Sequence, residues 1–519
     1  MQTIIFKADN MKLFKFNDLK LISGFVLVFT FTFLACQTDK EVQTNKYDTF
    51  LSQVYGRGQF NGNALILKDG KIVFQGAYGI GNIAPIDSLK LNSVFRIGSV
   101  SKQFTAMGIM ILKDKGKLSY DQDIRDFIPE LPYEGITIRH LLNHVSGLPD
   151  YTGMMNKNWK TELKNNDPQK LVSGNDDLIR MFAQEKPEVY FKPGEKWEYS
   201  NTGYVLLATI VSRSSGVSFG QFLKEHIFKP AGMEDTSVYK YIPGSDPQMP
   251  MRVYGFRTEL NGVDRVSTDY HYLNGVAGDG GIYSTLADLL KWDRILYTER
   301  LVSKNTLKEA FDSTVLNNGE IENYGFGWRI TQSPNGKKAV YHSGGWVGFS
   351  SYIYREIEED NCIIFLANNS TKYLWGVTDP LINMLHDLPV EMPKLSIREV
   401  IGKTIFNTGI EAAIKQYKEL KDNEPESYDF KEKQLNFLGY QLLQMDLINE
   451  AVEIFRINKD EYPQSANTYD SYGDALLAKG DEVNALINFK KAYELDPTLK
   501  ETKEKINSIE TSITNKKEK

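Results

Sequence analysis

Apolar positions fall into two patterns along this chain. Near residue 63 the run Asn63-Ala64-Leu65-Ile66-Leu67-Lys68 ends at Asp69-Gly70, and Lys71-Ile72-Val73-Phe74-Gln75 follows. Asp-Gly between two apolar runs is a hairpin signal, since both turn positions favour positive φ. Residues 99 to 300 are helical and loop-rich. Strand runs return at Ala339-Val340-Tyr341-His342, Ser350–Tyr354 and Cys362–Ala367. Strands at both ends with helices between them predict an α+β domain. Its sheet is antiparallel and built from the two ends of the region.

From about residue 400 the pattern changes to a repeat. Ala451 and Ala485 lie 34 residues apart, as do Gly439 and Gly473, Phe455 and Phe489, and Pro463 and Pro497. Alanine followed by an aromatic at the fourth position, with proline eight residues on, is the tetratricopeptide pattern. A weaker copy at Ala413, Tyr417 and Pro425 precedes them. Small alanines let paired helices approach, and the aromatic ring fills the gap between units. An all-α solenoid is expected over residues 401–510, after a linker at 388–400. The tail from Glu501 onward is charged and is expected to fray, with 511–519 left as a charged end.

The N-terminus reads as a targeting signal. Lys12, Lys15 and Lys20 precede the uncharged run Leu21–Ala35, which is too short for a span. The run closes Phe33-Leu34-Ala35-Cys36, which resembles the lipobox of bacterial lipoproteins, although Phe33 stands where an aliphatic residue is usual. Residues 1–36 are thus expected to be a signal whose Cys36 becomes the lipidated mature terminus. Residues 37–47 form a tether, and the product is exported and held on a bacterial membrane, facing periplasm or cell surface. The chain's other cysteine is Cys362, so lipidation of Cys36 leaves no disulfide. Composition adds little: 41% hydrophobic and 25% charged residues are ordinary for a globular chain. A net charge of -6 gives no footing for nucleic acid.

Three short motifs carry the candidate chemistry. Ser99-Val100-Ser101-Lys102 follows Gly98 and opens an apolar helical stretch, Phe104–Leu112. That places Ser99 at a helix N-terminus with Lys102 one turn on. A serine needs a nearby base to attack, and a neutral lysine serves. Taken alone, the motif reads rather as a capping serine beside a solvated lysine. Tyr199-Ser200-Asn201 follows the turn signal Pro193-Gly194, which predicts a loop presenting Tyr199 and Asn201. The phenol carries protons, and the amide holds a substrate carbonyl. His342-Ser343-Gly344 ends a predicted strand, where glycine allows a substrate backbone to approach. The N–H of Gly345 then pairs with that of Ser99 as an oxyanion hole. His140 and His144, four residues apart, are read as loop packing rather than zinc ligands.

In this order, the three motifs resemble the serine β-lactamase and penicillin-binding superfamily. The sequence is similar to its class C branch, which also holds DD-peptidases, D-aminopeptidases and esterases. Ile136–Tyr151, Ala277–Trp292 and Tyr324-Gly325-Phe326-Gly327-Trp328 resemble that branch too, so residues 48–387 are expected to form this domain. The resemblance implies an antiparallel sheet flanked by helices, with a helical subdomain. It makes Ser99 the acylated nucleophile, has Lys102 and Tyr199 share the base, and has Asn201 orient the substrate amide. It counts His342 among the catalytic residues, and Ser343 and Gly344 line the substrate's edge. Histidine stands at 342 where β-lactamases proper usually carry lysine. A mostly neutral imidazole suits a substrate carboxylate poorly, which favours peptidases, amidases and esterases. No metal or cofactor is required. A hydrolase of cell-envelope peptides, D-amino-acid amides or small esters is expected. A true β-lactamase and a silent ligand-binding receptor are the alternatives. The helical repeats are expected either to bind a protein partner or to act as a packing appendage.

Overall fold

The structure is a computed structural model that describes residues 45–162, 172–240, 249–369 and 373–517. The expected signal, Cys36 and most of the tether lie outside the described residues. No helix among the described residues is long and apolar enough to cross a membrane.

The sheet has six strands: β1 (Gly62–Lys68), β2 (Lys71–Tyr78), β3 (Arg329–Gln332), β4 (Lys338–Trp346), β5 (Phe349–Glu356) and β6 (Asn361–Ala367). Their order is β3-β4-β5-β6-β1-β2, and every neighbouring pair is antiparallel. The β1–β2 hairpin turns at Asp69 and Gly70, with φ of 50° and 72°. β1 pairs with β6 through Asn63↔Leu366 and Leu65↔Ile364, which joins the two ends of the domain.

Alternation along β1 divides the core. Ala64 and Ile66 face one layer, with Tyr47, Phe50 and Leu51 of α1 (Lys46–Gly56). Leu65 and Leu67 face the other, with Ile109 of α2 (Lys102–Asp114) and Leu207 of α3 (Asn201–Ser215). Both faces of the sheet are covered, so the central strands β1 and β6 are apolar and buried at most positions. Each such buried aliphatic side chain contributes roughly 1.5–3 kcal/mol. α2 and α3 pack closely in the helical subdomain, where Gly108 of α2 leaves room for Val211 of α3. A further helix of the outer layer, α4 (Leu374–Leu385), contributes Val377 and Leu381 to the α1 side.

Beyond the sheet domain the chain is almost wholly helical: α5 (Ile397–Thr408), α6 (Ile410–Asn423), α7 (Glu432–Gln444), α8 (Ile448–Glu461), α9 (Ala466–Ala478), α10 (Glu482–Leu495) and α11 (Lys500–Lys517). Gly439 of α7 lies against the ring of Phe455 in α8, and Gly473 of α9 lies against Phe489 in α10. A Cβ at either glycine would fall within 2.4 and 2.7 Å of that ring, so the same contact recurs in both units. Ala413, Ala451 and Ala485 are completely buried.

The expected fraying from Glu501 is corrected. Residues 500–517 form α11, because Ile506 and Ile509 pack into the repeat core and Lys505 bridges Asp470 and Asp474 of α9. The linker is also shorter than expected, since α5 begins at Ile397.

Candidate active site

Ser99 sits in a single 3₁₀ turn, Gly98–Ser101, that runs directly into α2. It is half-buried, while Lys102 is fully buried. Lys102 Nζ donates to three oxygens: Ser99 Oγ at 3.1 Å, Asn201 Oδ1 at 2.9 Å and the Asp279 carbonyl at 2.9 Å. The Asn201 and Asp279 oxygens can only accept, whereas the Ser99 hydroxyl can also donate to the amine. Asn201 Nδ2 in turn donates to Asp150 Oδ2 at 2.9 Å, and the Asn201 backbone N–H donates to the same oxygen at 3.2 Å. Asp150 fixes which end of the amide faces Lys102, because a carboxylate only accepts.

Asn201 was expected on a loop. It is instead the first residue of α3, with Ser200 at the cap position. The Tyr199 ring lies 4.9 Å from Lys102 Nζ, a cation–π distance. His144 holds that segment from behind. Its ring is 4.4 Å from the Tyr199 ring, and its Nδ1 accepts from the Ser200 N–H at 3.1 Å. Burial pushes its pKa well down. His140 accepts from the Thr137 N–H at 3.1 Å and closes a capping box. Both histidines therefore secure local backbone. Among the described residues, the group with metal-holding geometry is Glu356, Glu359 and His386, at the other end of β5. There Glu356 already accepts from Tyr354, Asn361 and His386.

His342 lies within β4, which continues to Trp346, and is 2% exposed. Its Nδ1 lies 2.6 Å from the Ser343 carbonyl and its Nε2 3.0 Å from the Tyr324 hydroxyl. A carbonyl only accepts, so Nδ1 carries the proton and Nε2 accepts from the phenol. Burial, reinforced by the charge of Lys102, pushes its pKa down to about 3. The ring stands 6.2 Å from that of Tyr199 and does not line the cavity beside Ser99. His342 is thus a neutral buried imidazole bonded to Tyr324 beside the site.

Gly344 and Gly345 behave differently. A Cβ on Gly344 would come 2.1 Å from the Ile97 carbonyl and 3.0 Å from Ser99 N, so only glycine lets the serine turn lie on β4. Gly345 is exposed, and its N lies 2.8 Å from where a Cβ on Gly98 would stand. Ser99 and Gly345 both line the same small cavity. Ser343 is half-buried on the strand between them and His342.

A cavity of about 190 Å³ opens beside Ser99 and is lined by Gly345, Tyr199, Asn201, Arg96 and Asp279 among others. Asp279 follows Gly278, whose φ is +112° and where any Cβ would strike the Tyr204 carbonyl at 2.3 Å. Burial raises the Asp279 pKa, and Lys102 pulls it back. Sequence reasoning gave no role to Asp150, Asp279, Tyr324 or Arg96. The first three lie in stretches that resemble the family, but nothing in those stretches shows what they face.

The Beta-lactamase family profile matches residues 48–374. Penicillin-binding protein 4* of Bacillus subtilis is 38% identical over 364 residues, covering 68% of this chain and 79% of that protein. The chain belongs to the Beta-lactamase family. A D-aminopeptidase of Gluconobacter oxydans is 24% identical over 59% of this chain and 55% of its own length. Among solved structures, the octameric penicillin-binding protein homologue from Pyrococcus abyssi is 27% identical. It covers 69% of this chain and 81% of its own, with a TM-score of 0.58. The Beta-lactamase match ends before α5, so the helical repeats lie beyond the family domain. Within the family the protein is a serine hydrolase.

Proposed function

We propose that this protein is an exported hydrolase that cleaves an amide or ester bond through an acyl-enzyme on Ser99. The observation that carries the reading is the bond from Lys102 Nζ to Ser99 Oγ at the wall of an open cavity. As the Ser99 Oγ–C bond forms, the hydroxyl proton passes to the base that Lys102 and Tyr199 share. The carbonyl oxygen becomes an oxyanion, held by the Ser99 and Gly345 N–H groups. The tetrahedral centre then collapses, the C–N or C–O bond breaks, and the proton is delivered to the leaving group. Water adds to the ester in a second pass, which returns the proton to Ser99. Asn201, fixed by Asp150, keeps Lys102 aimed at the serine. Ser343 and Gly344 offer the strand edge along which substrate backbone lies. His342 holds the Tyr324 hydroxyl beside the site.

The substrate class favoured is a D-amino-acid peptide or amide, or a small ester. Relatives named as a penicillin-binding protein and a D-aminopeptidase support it. Neutral His342 supports it over β-lactam hydrolysis, because it brings no cation to a substrate carboxylate. Lipidation at Cys36 would hold the enzyme on the envelope, and the repeats would offer a concave surface to a protein partner.

The test is intact mass and turnover with a fluorescent penicillin and, separately, a p-nitrophenyl ester. Ester turnover with a transient adduct that is absent in Ser99→Ala is the expected result. A stable penicillin adduct on Ser99 would place the enzyme with the penicillin-binding peptidases. No adduct and no turnover would contradict the reading.

A further inference from the structure

Two charged residues line the cavity beside Ser99, and they are differently placed. The Arg96 guanidinium is 3% exposed, stands 4.6 Å from the Trp346 ring and donates to Asn274 at 2.7 Å. Those contacts fix its head. The Asp279 side chain is also buried, at 8% exposure. Its Oδ2 accepts one hydrogen bond, from the neutral Tyr151 hydroxyl at 3.0 Å. Among the described residues its Oδ1 receives no hydrogen bond, and the carboxylate forms no salt bridge. Lys102 bonds the Asp279 carbonyl and not the carboxylate.

A buried carboxylate with a single neutral donor is an unfinished arrangement, because its charge lacks a partner inside the protein. The ligand can supply that partner. Lys102 Nζ bridges Ser99 Oγ at 3.1 Å and the Asp279 backbone at 2.9 Å, and Ser99 and Asp279 line the same cavity of about 190 Å³. In an α-amino-acid amide, the ammonium nitrogen is two bonds from the carbonyl carbon that a serine attacks. A blocked amine carries no charge and places an acyl group where the carboxylate stands.

We infer that the Asp279 carboxylate receives the free ammonium of the acyl part of the substrate, so that the enzyme selects amides and esters of amino acids with an unblocked amine. The inference rests on the acyl-enzyme reading above and narrows it. The positive charges facing Asp279 are Lys102 and Arg96, and Asp150 is the negative charge facing it. The substrate cation adds the direct partner that neither base provides.

The full chain is assayed on D-alanine p-nitroanilide, its N-acetyl derivative and propionyl p-nitroanilide, with and without Asp279→Asn. Wild type is expected to favour the free amine over both neutral anilides by about tenfold or more, and Asp279→Asn to cut that ratio by a similar factor, chiefly through KM. Equal loss on all three substrates would overturn the inference and leave Asp279 as a support for Lys102. Absence of preference in wild type would overturn it too, whether or not the variant folds. If no anilide is cleaved but a p-nitrophenyl ester still acylates Ser99, the inference fails and the hydrolase reading stands. No acylation by any of them removes both.

Discussion

In the helical repeats, Gly439 meets Phe455, and the same pairing returns as Gly473 with Phe489. Beside Ser99 no contact is used twice. Ser99, Lys102, Asp150, Asn201 and Asp279 come from four separated stretches, and each hydrogen bond among them joins different chemical groups. The repeat region gains stability by reiterating one local packing solution, whereas the site depends on long-range placement of polar groups inside a core. A lost contact should therefore have opposite signatures: stability in the first region, rate in the second.

The sharpest way to break this contrast is Lys102→Met. The account expects a fall in turnover of roughly 10⁴-fold or more with the fold retained, read by steady-state ester kinetics beside a melting curve. A comparable loss of stability with little change in rate would erase the distinction. Phe455→Ala is the counterpart in the repeats. Emptying a fully buried aromatic position should cost about 3–5 kcal/mol in urea unfolding, while kcat/KM below the transition stays near wild type.

Asp150 sharpens the comparison, because it acts through Asn201. Asp150→Ala frees the amide to turn its NH₂ end toward Lys102, and kcat should drop by about ten- to a hundredfold with KM little changed. Asp150→Asn, which restores an accepting oxygen, should recover part of that loss. Equal recovery by Asp150→Leu would show the role to be packing alone.

A further expected effect is in pH. His342 titrates near 3 when folded, against an ordinary value of 6.5. Between those values the unfolded chain binds more protons, so stability is complete above about pH 6.5 and falls as pH drops toward 3. One such group contributes a slope of up to about 1.4 kcal/mol per pH unit. His144 is also pushed down by burial and adds to the slope in the same direction. In His342→Gln the slope between pH 6 and 4 should be shallower by one proton, measured by urea melts across that range.

What the sequence revealed follows the same division. The Asp69-Gly70 hairpin and the repeat positions are legible because their signals are local and periodic. α11 escaped because charge density conceals Ile506, Ile509 and Ile513, spaced for one helix face. Tyr199-Ser200-Asn201 read as a loop because Pro193-Gly194 dominates its surroundings, although the helix starts at Asn201 itself. Ser99, Lys102, Tyr199 and Asn201 could be singled out as motifs. Asp150 and Asp279 could not be given roles, since a carboxylate has no distinctive meaning until the fold shows what it faces. His342 stands out in the sequence through its strand and glycines, whereas its burial and its bond to Tyr324 show only in the fold.

The most direct test of the central claim is peptide mapping by tandem mass spectrometry after rapid acid quench of the full chain with a p-nitrophenyl ester. The account predicts an acyl mass on the peptide carrying Ser99, localised to that residue and missing in Lys102→Met under the same quench. An adduct on another residue, or turnover with Ser99 never acylated, would contradict it.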